Sequence, residues 1–327
     1  MFDIVTIGDC IKDTFIIPHK GEIEAKRNGP KEVDIYFAHG SKISIDEMHR
    51  SIGGSACNVS VGMKRLGFDS AVISPLGDDD DAEIIKSRLD EEGVETKFLK
   101  TFPKNKTSNS VILVYKSDRT VFVYRGLKDY SLLKLPKSAG WRTKWLYLGP
   151  VANSFESNYK DLISLASEKS VNIAVNPGHR QIIEGREKLK KLLYVSKVLI
   201  LNKEEAIDLT KMSKFVKIKE LLKRLKSYGP EIVIITDGKD GVYITNGEEY
   251  FGLKSLEVEV VDSTGAGDAF SSGFLAGLSN NLDIKTSAKW GILNSTEVIK
   301  YYGAQTNLQD KNFMEKYLHT VANIYNL

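Results

Sequence analysis

Cysteine is almost absent. Cys10 and Cys57 are the only two in 327 residues, so no disulfide framework is expected and a reducing cytoplasm is the natural setting. The five histidines (His19, His39, His49, His179 and His319) show no ligand spacing, which leaves no transition-metal site to predict. No apolar run approaches the ~20 residues of a membrane span. The opening MFDIVTIGDC has no basic segment ahead of an apolar core, so it reads as a strand and not as a signal peptide. Net charge is low, +3, with Lys and Glu interspersed, which argues against a dedicated nucleic-acid surface. Two nucleotide motifs are also missing: there is no GxxxxGK[ST], and no GxGxxG follows the first strand. A P-loop is thereby excluded and a dinucleotide fold is not expected.

What is present reads as an ordinary globular chain, 42% hydrophobic and 27% charged, long enough for one large domain or a main domain with an appendage. Short apolar runs alternate with helical patterns: strand FDIVTIG, helix 55–67, strand SAVISPLG and an acidic-fronted helix 78–93. After residue 144 come strands KWLYLG, VNIAVN, KVLIL, EIVIIT and GVYIT, with helices at 155–169, 181–194, 203–211 and 214–227. Helices near 265–279, 284–301 and 311–325 close the chain. Such alternation predicts a doubly wound, mostly parallel sheet with helices on both faces. Segments 14–17, 33–38 and 96–125 break the rhythm, the last as two β-rich runs joined by KSDR. They are expected to form a small, separate antiparallel sheet. No low-complexity tract or internal repeat occurs.

The stretch VVDSTGAGDAF, residues 260–270, places a glycine pair directly before an apolar helix. Glycine lets backbone approach a ligand closely, and unpaired N–H groups at a helix start attract anions. The amides of Gly265, Ala266 and Gly267 are candidates to cradle a phosphoryl group, with Asp268 beside them as a general base. The same pattern is also what a plain helix start with an acidic first turn looks like. The fragment alone leaves both readings standing.

Its company decides. GGSACNVSVGMKRLG (53–67) resembles the N-terminal signature of the ribokinase-like, phosphofructokinase-B type carbohydrate kinases, and DSTGAGDAF (262–270) closely matches their C-terminal one. LNKEEA (201–206) is similar to the family's Asn-x-x-Glu element, TDGKDGV (236–242) to its Thr-x-Gly nucleotide loop, and KYYGAQTN (300–307) to the segment closing the adenine pocket. The resemblance spans about residues 4–308. It implies a single kinase domain over 1–327, with a β-sheet lid formed by about 14–50 and 96–126. It also implies ATP and Mg²⁺ as the phosphoryl-transfer partners.

Carried over residue by residue, the resemblance makes Asp268 the base and Gly265, Ala266 and Gly267 the anion hole. Asn202 and Glu205 organise Mg²⁺ and phosphates, Glu205 through water. Thr236, Gly238 and Gly241 line the nucleotide's phosphate and ribose, and Asn294 and Gly303 its adenine. Asp262 and Thr264, with backbone near Gly303 and Asn307, resemble a monovalent-cation loop, which makes K⁺ a candidate activator. For the acceptor, Asp13, Gly53, Gly54 and Asn58 grip sugar hydroxyls. Arg125 in VFVYRG is placed to meet an acidic group on the substrate, with a surface strand arginine as the alternative. Cys10 and Cys57 read as small buried residues.

Two features bear on the acceptor. The segment from Asp13 to Gly53 is long, which implies an enlarged lid. Where a ribokinase carries a glutamate after the strand KWLYLG, this chain has Gly149. The acceptor is therefore expected to be a sugar or sugar derivative, with a nucleoside as the alternative and a non-catalytic binding protein as the second. The resemblance also implies a homodimer through the lid, because exposed lid sheets of such kinases often pair between subunits and an uncovered sheet is a liability in a monomer.

Overall fold

Alternate residues of the same strands go to opposite sides of one sheet. Val5, Ile7, Leu146, Leu148, Ile173, Val175, Leu199, Leu201, Val233 and Ile235 enter one apolar core. Their neighbours Ile4, Trp145, Tyr147, Ala174, Val198, Ile200, Ile232 and Ile234 enter another. Strands buried on both faces need continuous apolar runs, which is how FDIVTI, TKWLYL, VLILN and IVIIT read. The computed structural model describes residues 1–19, 23–27, 33–115, 118–130, 133, 142–152, 155–169, 171–184, 186–321 and 324–327.

The sheet has nine strands in the order Tyr325–Asn326, Tyr250–Leu253, Val242–Thr245, Ile232–Thr236, Val198–Asn202, Asn172–Val175, Thr143–Leu148, Phe2–Ile7 and Ser70–Ile73. The six from Ile232–Thr236 to Ser70–Ile73 run parallel, and the other three add antiparallel at one edge. Helices pack on both faces, as expected. Two edge strands differ from the sequence reading. Tyr250–Leu253 is too short to show a period. Tyr325–Asn326 falls where a helix to residue 325 was expected; the helix stops at Tyr317. The ring of Tyr325 lies where a side chain at Gly252 would sit, 2.5 Å from the position of its Cβ.

A second sheet of four strands is separate, in the order Asp118–Tyr124, Asn109–Tyr115, Ile11–Pro18 and Ile45–Gly53. Its outer pairs are antiparallel, whereas Ile11–Pro18 and Asn109–Tyr115 run parallel. The strand Ile45–Gly53 has no sequence signature, because its first six residues, IDEMHR, are exposed on both faces and do not alternate. Val33–Tyr36 does not join this sheet; it pairs with Glu24–Arg27 in a two-stranded ribbon. Parts of the polar stretch 18–32 and of the KSDR connection, residues 20–22, 28–32, 116 and 117, lie outside the described residues.

The candidate residues collect at one end of this frame. Asn202 and Thr236 are the last residues of adjacent parallel strands, in register with each other. Helices Ser55–Arg65 and Ala266–Ser279 both begin at that end and pack together. This is the carboxyl-end crevice where open α/β sheets bind ligands.

Candidate active site

Helix Ala266–Ser279 starts after Gly265, whose φ of 78° is the left-handed conformation that favours glycine. A Cβ there would lie 2.3 Å from Ala304 Cβ. The first helical bond, Ala269 N–H to Gly265 carbonyl, is 2.8 Å long. The Ala266 N–H points at the Ser263 carbonyl at 3.3 Å. Of the three amides assigned to the anion hole, that one is already engaged. Among the described residues the amides of Gly265, Gly267 and Asp268 find no acceptor, and the space above Gly267 is open. Three free donors at a helix start are the feature on which anions settle in other proteins.

Asp268 is held at both carboxylate oxygens. Ser55 Oγ donates to Oδ1 at 2.6 Å and Asn58 Nδ2 to Oδ2 at 2.8 Å. Each donor is braced from behind: Tyr147 OH lies 2.8 Å from Ser55 Oγ, and Gln305 Nε2 donates to Asn58 Oδ1 at 2.9 Å. Burial of the carboxyl raises its pKa, and the Ser55 and Asn58 bonds pull it back.

Asp13, 3% exposed, accepts from Ser110 on the neighbouring strand. Burial raises its pKa to about 6; the Ser110 bond opposes this, and the charges of Asp262 and Asp268 add to it. Gly53 lies against this carboxylate, since a Cβ there would fall 1.9 Å from Asp13 Oδ2. Gly54, at φ 93°, caps helix Ser55–Arg65 with its Cβ position against the Asp9 carbonyl. Glu205 lies in the same field: its pKa is raised by burial, lowered by its bond to the Asn202 backbone and raised again by Asp268.

Asn202 and Glu205 form a capping box, the side chain of each accepting from the backbone N–H of the other at 2.8 and 2.9 Å. The pair is thus also a local helix-start device. Thr236 ends its strand and Gly238 (φ 52°) opens the next turn. Gly241 (φ 96°) has no room for a side chain, because the Leu253 carbonyl would lie 1.9 Å away. Lys203 Nζ bonds Asp237 Oδ2 at 2.6 Å and ties the two loops together.

Asp262 Oδ1 accepts from Thr264 N–H and Oγ1 at 3.0 and 2.7 Å, and Oδ2 from Gly303 N–H at 3.4 Å. Its carboxylate is buried, and among the described residues no Lys or Arg pairs with it. The side chain of Asn307, whose backbone was the part expected near this loop, has its Nδ2 on the Glu297 carbonyl at 3.1 Å.

Two candidates differ from their expected roles. Asn294, expected at the adenine, is 0% exposed; its Nδ2 donates to the Ala269 carbonyl and Ser272 Oγ at 3.0 Å, and its Oδ1 accepts from Gln309 N–H. It braces two helices and has no free polar atom. Arg125 points inward, NH1 on Asp9 Oδ2 at 2.5 Å, with the Tyr130 hydroxyl on the other oxygen of Asp9. An isolated strand motif carries no sign of such a partner. A different arginine, Arg119, crosses from the small sheet to donate to Ser263 Oγ in the glycine loop. Ser55, Tyr147, Ser110 and Gln305 were not singled out from the sequence; Ser55, inside the GGSACN run, and Gln305, inside KYYGAQTN, lay within recognised motifs, whereas Tyr147 and Ser110 did not.

Volume does not locate the chemistry. A cavity of about 940 Å³ opens at the amino ends of the strands beside Asp3, Lys144, Trp145 and Leu282, and none of the candidate residues lines it.

The family model described as pfkB family carbohydrate kinase matches residues 18–311. The chain belongs to this family. The matched span holds every candidate except Asp13, which precedes it. An ATP-dependent 6-phosphofructokinase of Thermoanaerobacterium thermosaccharolyticum is 29% identical across 100% of this chain and 94% of its own length. Burkholderia thailandensis nucleoside kinase, solved with inosine, superposes at a TM-score of 0.78 with 21% identity, covering 99% of this chain and 100% of that one. Arabidopsis thaliana ribokinase with ribose and ATP gives 0.75 at 18% identity, covering 97% and 98%. This pfkB kinase is therefore a phosphotransferase that uses ATP and an alcohol acceptor, built on the ribokinase fold. Among its described residues no helix is long and apolar enough to cross a membrane.

Proposed function

We propose that the protein transfers the γ-phosphate of ATP to a hydroxyl of a sugar or sugar derivative, with Asp268 as the general base. The observation that carries this reading is the carboxylate of Asp268, fixed at both oxygens and set beside three unpaired amides at a helix start. A base needs to be held in reach of the proton it removes. The amides of Gly265, Gly267 and Asp268 would meet charge developing on the transferring group, so positioning and charge stabilisation supply most of the rate. Asp13, with Gly53 against it, would grip acceptor hydroxyls, and Asn58 would serve there through the Asp268 carboxylate that its amide holds. Thr236, Gly238 and Gly241 would line the nucleotide, and the segments about 14–50 and 96–126 would serve as the lid through the four strands of the small sheet that they supply.

Mg²⁺ suits the residues present. Among the described residues no three His, Cys, Asp or Glu side chains gather as a metal cage, whereas Mg²⁺ is typically held by one or two carboxylates, phosphate oxygens and water. Glu205 has one carboxylate oxygen committed to its helix cap and one uncommitted, and it would hold the ion through water. The bound ion would neutralise phosphate charge. The buried, unpaired carboxylate of Asp262, with Thr264 beside it, suits a monovalent cation on charge grounds, and K⁺ is the candidate.

A nucleoside acceptor is the second reading, and one observation favours it. Val123 pairs with Ser110, and Ser110 with Asp13, so Val121 and Val123 share the face of the small sheet that carries Asp13. They are 44% and 51% exposed, an apolar wall suited to a base attached to ribose. The test is a panel of sugars, sugar phosphates and nucleosides with ATP, scored by coupled ADP release. Turnover of a nucleoside alone selects the second reading. No turnover of any acceptor overturns the kinase assignment and leaves a nucleotide- or sugar-binding protein on the same fold.

A further inference from the structure

We propose that Ser55, backed by Tyr147, is a positioning residue that keeps the Asp268 carboxylate ionised and aimed; this rests on Asp268 being the base. Serine at a helix start usually caps it. Here the cap is Gly54, no side chain bonds the helix amides, and the Ser55 hydroxyl turns across the crevice to a residue 213 positions away. Ionised Asp268 has no proton to give, so the single hydroxyl proton of Ser55 faces it. Ser55 therefore accepts from Tyr147, and the donors run one way: Tyr147 to Ser55 to Asp268 Oδ1.

Tyr147 is suited to the end of that chain. It is fully buried, and burial, then the charge of Asp268, pushes its pKa upward, so the phenol stays a donor at every working pH. Gly149 makes the room. A Cβ there would lie 3.2 Å from Ser55 Oγ and 3.3 Å from Tyr147 Cε1, so any larger residue crowds both partners. On the other oxygen, Gln305 fixes which end of the Asn58 amide faces Asp268. Held on both sides, the carboxylate cannot turn about its terminal torsion, and its remaining lone pairs are left for the acceptor proton. The bonds favour the charged form that burial disfavours.

The test reads the carboxyl itself, without an acceptor. In protein labelled with ¹³C at the Asp side-chain carboxyl, the Asp268 signal is assigned by its loss in Asp268→Asn and titrated in wild type, Ser55→Ala and Tyr147→Phe. Ser55→Ala should raise the titration midpoint by about one pH unit, the size expected for one charge-assisted hydrogen bond. Tyr147→Phe, which keeps the ring and its packing, should move it the same way by less. The acidic limb of kcat/KM, measured with whichever acceptor is turned over, should move in parallel. An unmoved midpoint in Ser55→Ala, or in Tyr147→Phe if the alanine variant does not fold, overturns the proposal. An Asp268→Asn enzyme with full kcat overturns the base reading instead, while the titration still reports what Ser55 does to the carboxyl.

Discussion

The amide of Asn58 donates to Oδ2 of Asp268 at 2.8 Å while its own oxygen accepts from Gln305 at 2.9 Å. The base candidate is thereby attached to a residue from the first signature and one from the last loop. Asp268→Asn should lower kcat by at least ~10², the lower end of what a general base contributes, with acceptor KM little changed. A steady-state comparison with wild type decides it, and a rate within twofold removes Asp268 from the chemistry.

Asp13 makes stability depend on pH. Its pKa is about 6 in the fold against an ordinary 3.8, so the fold binds this proton more tightly than the unfolded chain does. That contribution is complete below 3.8 and is lost as pH rises through about 6; the gap corresponds to about 3 kcal/mol. Asp13→Asn should therefore raise Tm at about pH 8 and lose that gain near pH 4, while weakening acceptor binding. Thermal melts at both pH values test it, and equal shifts at the two rule the account out.

The two glycines of the TGAGD loop should respond differently. Gly265→Ala forces a side chain into a left-handed backbone and against Ala304, which should cost about 2–4 kcal/mol. Gly267→Ala meets nothing within 4 Å, so Tm should hold. A rise in ATP KM for Gly267→Ala at unchanged Tm would show the loop backbone touching nucleotide; unchanged KM would show that it does not.

Replacing K⁺ by tetramethylammonium at constant ionic strength should lower kcat severalfold if a cation sits against Asp262. Asp262→Asn should then be slow in both salts. Identical wild-type rates in the two salts dismiss the cation.

Met48, Val111, Phe122 and Tyr124 share the face of the small sheet turned away from Asp13, and all four are exposed. Light scattering should return twice the 36.5 kDa chain mass, and Phe122→Glu should return it to one. A monomeric wild type defeats this prediction.

The main sheet was legible because strands buried on both faces must be apolar throughout, as IVIIT and VLILN are. Ile45–Gly53 was not, because IDEMHR, exposed on both faces, carries no period. Within the site, contiguous motifs named Asp268, Asn58 and Glu205. Two of the residues that hold them were hidden for one physical reason: Tyr147 and Ser110 reach the site by tertiary packing, and local spacing does not record that. Gln305 stands inside KYYGAQTN, but its bond to Asn58, 247 positions away, is no more local. Arg125 and Asn294 show the reverse relation. Their side chains suit a ligand, but buried partners had already engaged them.

The bonds that organise the crevice join residues 213, 210 and 247 positions apart. No fragment that lacks the segment around Ser55 and Asn58, Asp268 or Gln305 can assemble them, and a molecule with any of these misplaced should be silent. Recovered phosphoryl transfer after dilution from denaturant would then count complete molecules, while spectroscopic helix content would also count partial ones. The enzyme would report on its own folding.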